Sequence, residues 1–246
     1  MKHVARAFCA AVFLVGLLVF SQAQNTKQAD SVDNDFNDVE YNDVEPARSC
    51  VVKSIQYRVN PDGSRQILSR FTTYERANGE YRVVSYGPDG PRSDNPMYKY
   101  SNETVIDAGW DGEVYAKGWG MNALFYIGAR TKIDEPKSKY FRSRKYYMNV
   151  PSLVRTDTIA GLKVYVLRQK IPNPESNIEW IEASHSPEMG LNSLRVITHF
   201  RDGSEVISEA LSVEFTEVPE DLNDDLKGLP ISNLEEKIRK QSQNQE

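Results

Sequence analysis

The chain has 246 residues, 39% hydrophobic and 26% charged, with a formal net charge of −5. That length holds one large domain or two small ones with a core of their own, and the composition excludes collagen-like and low-complexity classes. A net acidic protein binds nucleic acid poorly in the absence of a specific site, so no nucleic-acid partner is expected.

Lys2, His3 and Arg6 open the chain, Ala7 to Phe20 are apolar throughout, and Ser21-Gln22-Ala23 sets small side chains at the −3 and −1 positions. This is the layout of a secretory signal peptide, here residues 1–23, cleaved after Ala23. The apolar run is shorter than the ~20 residues a spanning helix needs. No second long apolar run follows, so the mature chain is expected to have no transmembrane segment and to be periplasmic or secreted. Loss of Lys2 and Arg6 makes it more acidic still. Cys9 leaves as well, so Cys50 is the one mature cysteine and no intramolecular disulfide can form. At the start of a strand, Cys50 reads as a small hydrophobe; a reactive or intermolecular thiol is the alternative.

Residues 24–46 carry Asp30, Asp33, Asp35, Asp38, Glu40, Asp43 and Glu45 against Lys27. So few apolar side chains cannot offset the entropy of ordering, and the segment is expected to be disordered. Phe36-Asn37-Asp38-Val39-Glu40 is echoed by Tyr41-Asn42-Asp43-Val44-Glu45, either a docking or weak calcium-binding tract or a solvated spacer.

Residues 47–222 are expected to form a β-rich domain. Ile55, Tyr57 and Val59 alternate with Gln56, Arg58 and Asn60. Leu162, Val164 and Val166 alternate with Lys163 and Tyr165. Leu194, Val196 and Phe200 lie opposite Arg195 and His199, and Leu211, Val213 and Phe215 alternate with Ser212, Glu214 and Thr216. Period two with one dry and one wet face predicts antiparallel strands. Asp62-Gly63, Asn78-Gly79 and Asp202-Gly203 supply the positive φ of tight hairpins, and three such turns predict a meander. The run from Gly87 to Pro96 is a loop by composition. Residues 109–128 are irregular, and residues 138–147 fit helix or strand. Pro172 and Pro174 end the strand begun at Leu162, because proline removes ladder donors. The tail, residues 223–246, is expected to hold a short amphipathic helix over 231–241, capped by Ser232 or Asn233.

No catalytic constellation is recognisable. His185 and His199 are the histidines left after processing, and a nucleophile needs its base within hydrogen-bond reach. His199 falls on a polar strand face. Cys50 with His185 is the one thiol–imidazole pair to consider, and nothing in the sequence joins them. Glu179 and Glu182 point to opposite faces of a strand. Zinc spacings, phosphate loops and dinucleotide glycine patterns are missing, so no metal and no cofactor are expected. Two clusters remain. Trp110, Tyr115, Trp119, Phe125 and Tyr126 could line an apolar ligand cavity or fill a core. Arg130, Lys132, Lys137, Lys139, Arg142, Arg144 and Lys145 surround Tyr140, Phe141, Tyr146 and Tyr147. Arg142, Arg144 and Lys145 are the candidates for contact with an anionic envelope partner; otherwise the run is a solvated face whose long stems cover aromatic rings.

Four pieces in order carry a resemblance: Thr158-Ile159-Ala160-Gly161-Leu162, Ser186-Pro187-Glu188-Met189-Gly190-Leu191, Asp202-Gly203-Ser204-Glu205 and Phe215-Thr216-Glu217-Val218-Pro219. Together they resemble a group of exported proteins of soil bacteria and the end of the LolA/LppX-like periplasmic lipoprotein-carrier half-barrels. That resemblance covers under a third of the chain and rests on turns. It implies a single curved antiparallel sheet wrapped around a lipid or acyl cavity. The expected function is therefore a non-enzymatic binding or carrier role for a hydrophobic ligand, with an envelope structural or interaction protein as the alternative.

Overall fold

A computed structural model describes residues 46–90, 104–117, 122–129, 143–189 and 192–232. The expected leader, all but the last residue of the acidic segment, Trp119 and Arg142 lie outside these residues. Among the described residues twelve strands form one curved, unclosed sheet. They are β1 (Cys50–Val59), β2 (Arg65–Glu75), β3 (Tyr81–Tyr86), β4 (Thr104–Trp110), β5 (Glu113–Ala116), β6 (Leu124–Ala129), β7 (Leu153–Ile159), β8 (Leu162–Lys170), β9 (Ile178–His185), β10 (Ser193–Phe200), β11 (Glu205–Phe215) and β12 (Ile231–Ser232). Two short helices accompany them, α1 (Arg144–Asn149) and α2 (Asp224–Lys227).

The strand order is β12-β6-β5-β4-β3-β2-β1-β11-β10-β9-β8-β7. Two meanders therefore meet at β1, which pairs antiparallel with β2 on one side and β11 on the other. Every pairing is antiparallel except β12 with β6. The half-barrel expected from the sequence is the architecture observed.

The three expected hairpins share one design. In each, the glycine N–H bonds back three residues: Gly63 to Asn60 O, Gly79 to Arg76 O and Gly203 to Phe200 O, at 2.8–3.0 Å. The glycine φ values of 81°, 86° and 80° are the left-handed geometry of a type I turn closed by a bulge. Asp62 Oδ1 and Asp202 Oδ1 accept the N–H of the serine two residues on, which holds both turns. Two further hairpins use two-residue turns. Asp111-Gly112 joins β4 to β5 and Ala160-Gly161 joins β7 to β8, with both residues of each at positive φ. The stretch expected to be irregular around 109–128 thus contains β5 and most of β6.

The simple dry-face reading needs correction at three strands. In β1 it is Gln56, 4% exposed, and Ser54 that are buried, while Ile55 and Tyr57 are half-buried. In β8 Tyr165 is as buried as Val164 and Val166, because α1 lies against it. In β11 Leu211 is 53% exposed, beside the register shift between Lys53 and Ser54 in the β1 pairing. Bulges re-aim side chains, and elements on both sides of a sheet remove the wet face that period-two counting assumes.

The 138–147 stretch ends in helix: α1 buries Tyr146 and Tyr147. Near the C-terminus α2 precedes the segment expected to be helical. Ile231 and Ser232 form a strand, and residues 233–241 lie outside the described residues.

Candidate functional site

Ala108, Tyr115 and Tyr126 occupy opposed positions on β4, β5 and β6. Trp110, two residues beyond Ala108, stacks on Tyr115 with ring centroids 4.4 Å apart and planes 21° apart. Tyr126 meets Tyr115 edge-on at 6.0 Å. Tyr115 is buried, Trp110 is half-buried and Tyr126 is 45% exposed. The Tyr115 hydroxyl donates to Glu113. Burial, then the Glu113 carboxylate, push that phenol up to about 12. Phe125, opposite Ala116, is sent to the other face of β6 by strand alternation. The fold therefore gathers Trp110, Tyr115 and Tyr126 and separates Phe125 from them.

The patch is floored by Ala108 and Leu124 and roofed on one side by the C-terminal segment. Leu226 of α2 is buried in this cluster, with Leu229 packed beside it. Polar contacts hold the segment down. Arg82 donates to Asp225 at 2.6 Å and to the Leu222 carbonyl at 3.0 Å. Glu80, buried under α2, accepts from Asn223 at 3.2 Å, pairs with Lys227 at 3.1 Å and takes Arg76 at 2.9 Å. Burial raises the Glu80 carboxyl, but the hydrogen bonds from Lys227, Arg76 and Asn223 outweigh it, so its pKa is lowered. Leu124 N–H then bonds Pro230 O at 2.9 Å and β12 adds beside β6.

A second aromatic group lies at the far end of the sheet. Tyr147 of α1 stacks on Tyr165 at 5.2 Å and on His185 at 5.8 Å, with Tyr146 edge-on at 5.0 Å. Ser193 Oγ lies 3.4 Å from both His185 ring nitrogens. Burial pulls the imidazole down to about 4. Cys50 packs in a different cluster with Val52, Met189 and Leu194. Burial, then Glu75, push its thiol up to about 12, so near neutral pH it stays a protonated small hydrophobe. His199 is half-buried, flat against Trp180 at 4.5 Å, with Glu205 at 3.1 Å and Glu179 at 3.6 Å.

A charge ladder crosses β7 to β11. Glu182, 3% exposed, accepts a two-pronged pair from Arg155 at 3.1 and 2.9 Å and two further bonds from Arg168 at 2.8 and 2.5 Å. Arg195 bridges Glu209 at 3.0 Å and Asp157 at 3.3 Å. The sequence named Glu182 without its arginine partners and did not reveal the Tyr147–His185 stack, since both are assembled from separate elements. Among the described residues no group of three or more His, Cys, Asp or Glu could hold a metal, and no helix is long and apolar enough to cross a membrane.

The sheet and its roofed aromatic patch define the class: a single-sheet half-barrel with an aromatic cluster open on one side. No protein-family model matches the chain, and no curated protein matches it. Solved structures similar to it include a LolA superfamily protein from Nitrosomonas europaea, 10% identical over 73% of this chain and 91% of that one, TM-score 0.35. A DUF1329 family protein from Desulfovibrio piger is 11% identical over 76% and 93%, TM-score 0.33. An outer membrane lipoprotein-sorting protein domain from Vibrio parahaemolyticus is 12% identical over 73% and 91%, TM-score 0.24.

Proposed function

We propose that the protein is an exported, non-enzymatic binding or carrier protein for a hydrophobic ligand, a lipid or acyl group. The ligand is taken up at the aromatic patch of Trp110, Tyr115 and Tyr126. The observation that carries this is Tyr126, a large aromatic left 45% exposed beside a stacked Trp110–Tyr115 pair and the apolar floor of Leu124. An exposed ring next to a buried aromatic stack is the anatomy of a site that accepts an apolar partner. The secretory leader read from residues 1–23 supports the exported compartment. Mass spectrometry of organic extracts from natively purified protein tests the reading. Co-purifying lipid, lost on Trp110→Ala with Tyr126→Ala, is the expected result. Extracts free of lipid, with no uptake of added fatty acid or phospholipid, would overturn it.

A second reading is an envelope interaction protein. Its support is α1, where Arg144 and Lys145 are exposed and Met148 is 60% exposed. Basic side chains beside an exposed thioether suit an anionic lipid or acidic protein surface. Co-sedimentation with vesicles containing phosphatidylglycerol, compared between the native chain and Arg144→Glu with Lys145→Glu, separates this reading from the first.

A further inference from the structure

Among the described residues the sheet ends at β7, and the middle of β7 is complementary to itself. Among those residues β7 has a neighbour on one side alone, β8. The two-residue turn at Ala160-Gly161 makes Ile159 and Leu162 a hydrogen-bonded pair. Hydrogen-bonded and non-bonded pairs alternate along an antiparallel ladder, so Asp157–Val164 is bonded and Thr158–Lys163 and Thr156–Tyr165 are not. The backbone groups of Thr156 and Thr158 therefore point away from β8, out of the sheet edge. Thr156 and Thr158 are exposed, and Val154 is 46% exposed. Thr158 N–H finds a local partner in Asp157 Oδ1 at 2.7 Å.

We infer that the edge of β7 is an interface between two copies of this chain, paired antiparallel about a two-fold axis at Thr156. The segment Arg155-Thr156-Asp157 pairs with its own reverse. Thr156 meets Thr156 of the second copy as a hydrogen-bonded pair. Arg155 meets Asp157 at the non-bonded positions, where side chains come closest. The register of β7 on β8 shifts between Leu153 and Arg155, so the bulge at Val154 ends the regular ladder on that side. Both charged positions meet the opposite sign. On Arg155 and Asp157 the ladder of Arg168, Glu182, Arg195 and Glu209 would continue from one copy into the other. Strand addition at an unpaired edge is a common mode of association, and a two-fold axis closes it so that no further copy adds. An edge this short makes a small interface, so the dimer should dissociate on dilution.

Sedimentation velocity of the purified protein across a hundredfold range of concentration tests this. The expected result is a shift from one to two times the chain mass as concentration rises. Thr156→Pro removes the outward donor at the axis, and Val154→Lys sets a charge on the edge. Each variant should hold the one-chain mass across the range while keeping the native circular dichroism spectrum; Val154→Lys serves alone if the proline variant unfolds. Thr156→Cys should cross-link to its own copy under mild oxidation, since Cα atoms of a bonded pair lie about 5.5 Å apart, within disulfide reach. A native protein that stays at one chain mass, or a dimer that survives both variants, would overturn the inference.

Discussion

At the scale of single residues, the buried Cys50 and the half-buried His185 give opposite tests of the same principle. Cys50 carries a thiol pushed up to about 12, and the thiolate is the nucleophile. Native protein at pH 8 should therefore resist iodoacetamide and label fully once unfolded in guanidinium, read by intact mass. Rapid labelling of folded protein would restore the reactive-thiol reading. His185 is pulled down to about 4 from its ordinary 6.5. Burial disfavours the cation in the folded state, so the unfolded chain takes up the proton first as pH falls. Stability from this group is complete above pH 6.5 and is lost progressively towards pH 4. The gap corresponds to roughly 3 kcal/mol. His185→Phe keeps a ring against Tyr147 and cannot titrate, so its thermal midpoint should change far less than the native one between pH 6.5 and 4.

At the scale of elements, the strands are fixed to one another by contacts that no single strand reveals. Gly109 of β4 lies opposite Tyr81 of β3, and the Tyr81 ring runs across the space a Cβ would occupy. The Tyr81 hydroxyl, 2.5 Å from Asp107, holds the ring there. Gly109→Ala should cost about 1–3 kcal/mol by overpacking, measured by urea unfolding, and Tyr81→Ala in the same chain should return part of it. Glu182 joins β7, β8 and β9. Burial raises its carboxyl, but hydrogen bonds from Arg155 and then Arg168 outweigh that, and its pKa is lowered. The folded state thus holds the anion, and its contribution is present above the ordinary carboxylate range and lost as acid protonates it. Glu182→Gln should lower stability at pH 7 by about 1–3 kcal/mol, and the difference from native should shrink on acidification.

At the scale of the whole molecule, the C-terminal segment decides how open the aromatic patch is. Asn223 is fully buried and donates to Glu80 and to the Tyr81 carbonyl at 3.1 Å. Asn223→Ala should loosen α2 from Tyr115 and Trp110 at a cost of about 1–3 kcal/mol. The measurable sign is earlier tryptic cleavage after Lys227 with the rest of the sheet intact. Unchanged cleavage would mean that Leu226 and Leu229 hold the segment without the polar anchor.

The sequence by itself determined that the chain is a β meander. Period-two runs and the turns at Gly63, Gly79 and Gly203 are local signals, set by backbone sterics within a few residues, and Pro172 stopped β8 for the same reason. It did not determine which side of β1 would be dry, where Leu211 would point or that Tyr165 would be covered. Those depend on bulges and on helices that arrive from distant parts of the chain. Of the candidate site, the residue types were legible and the grouping was not. Trp110, Tyr115 and Tyr126 come together because three strands align in register, and Phe125 is turned away by the same alternation. Glu182 and His185 gained their partners in the same way. A side chain's burial and charge environment are properties of what packs against it, and only tertiary structure supplies that.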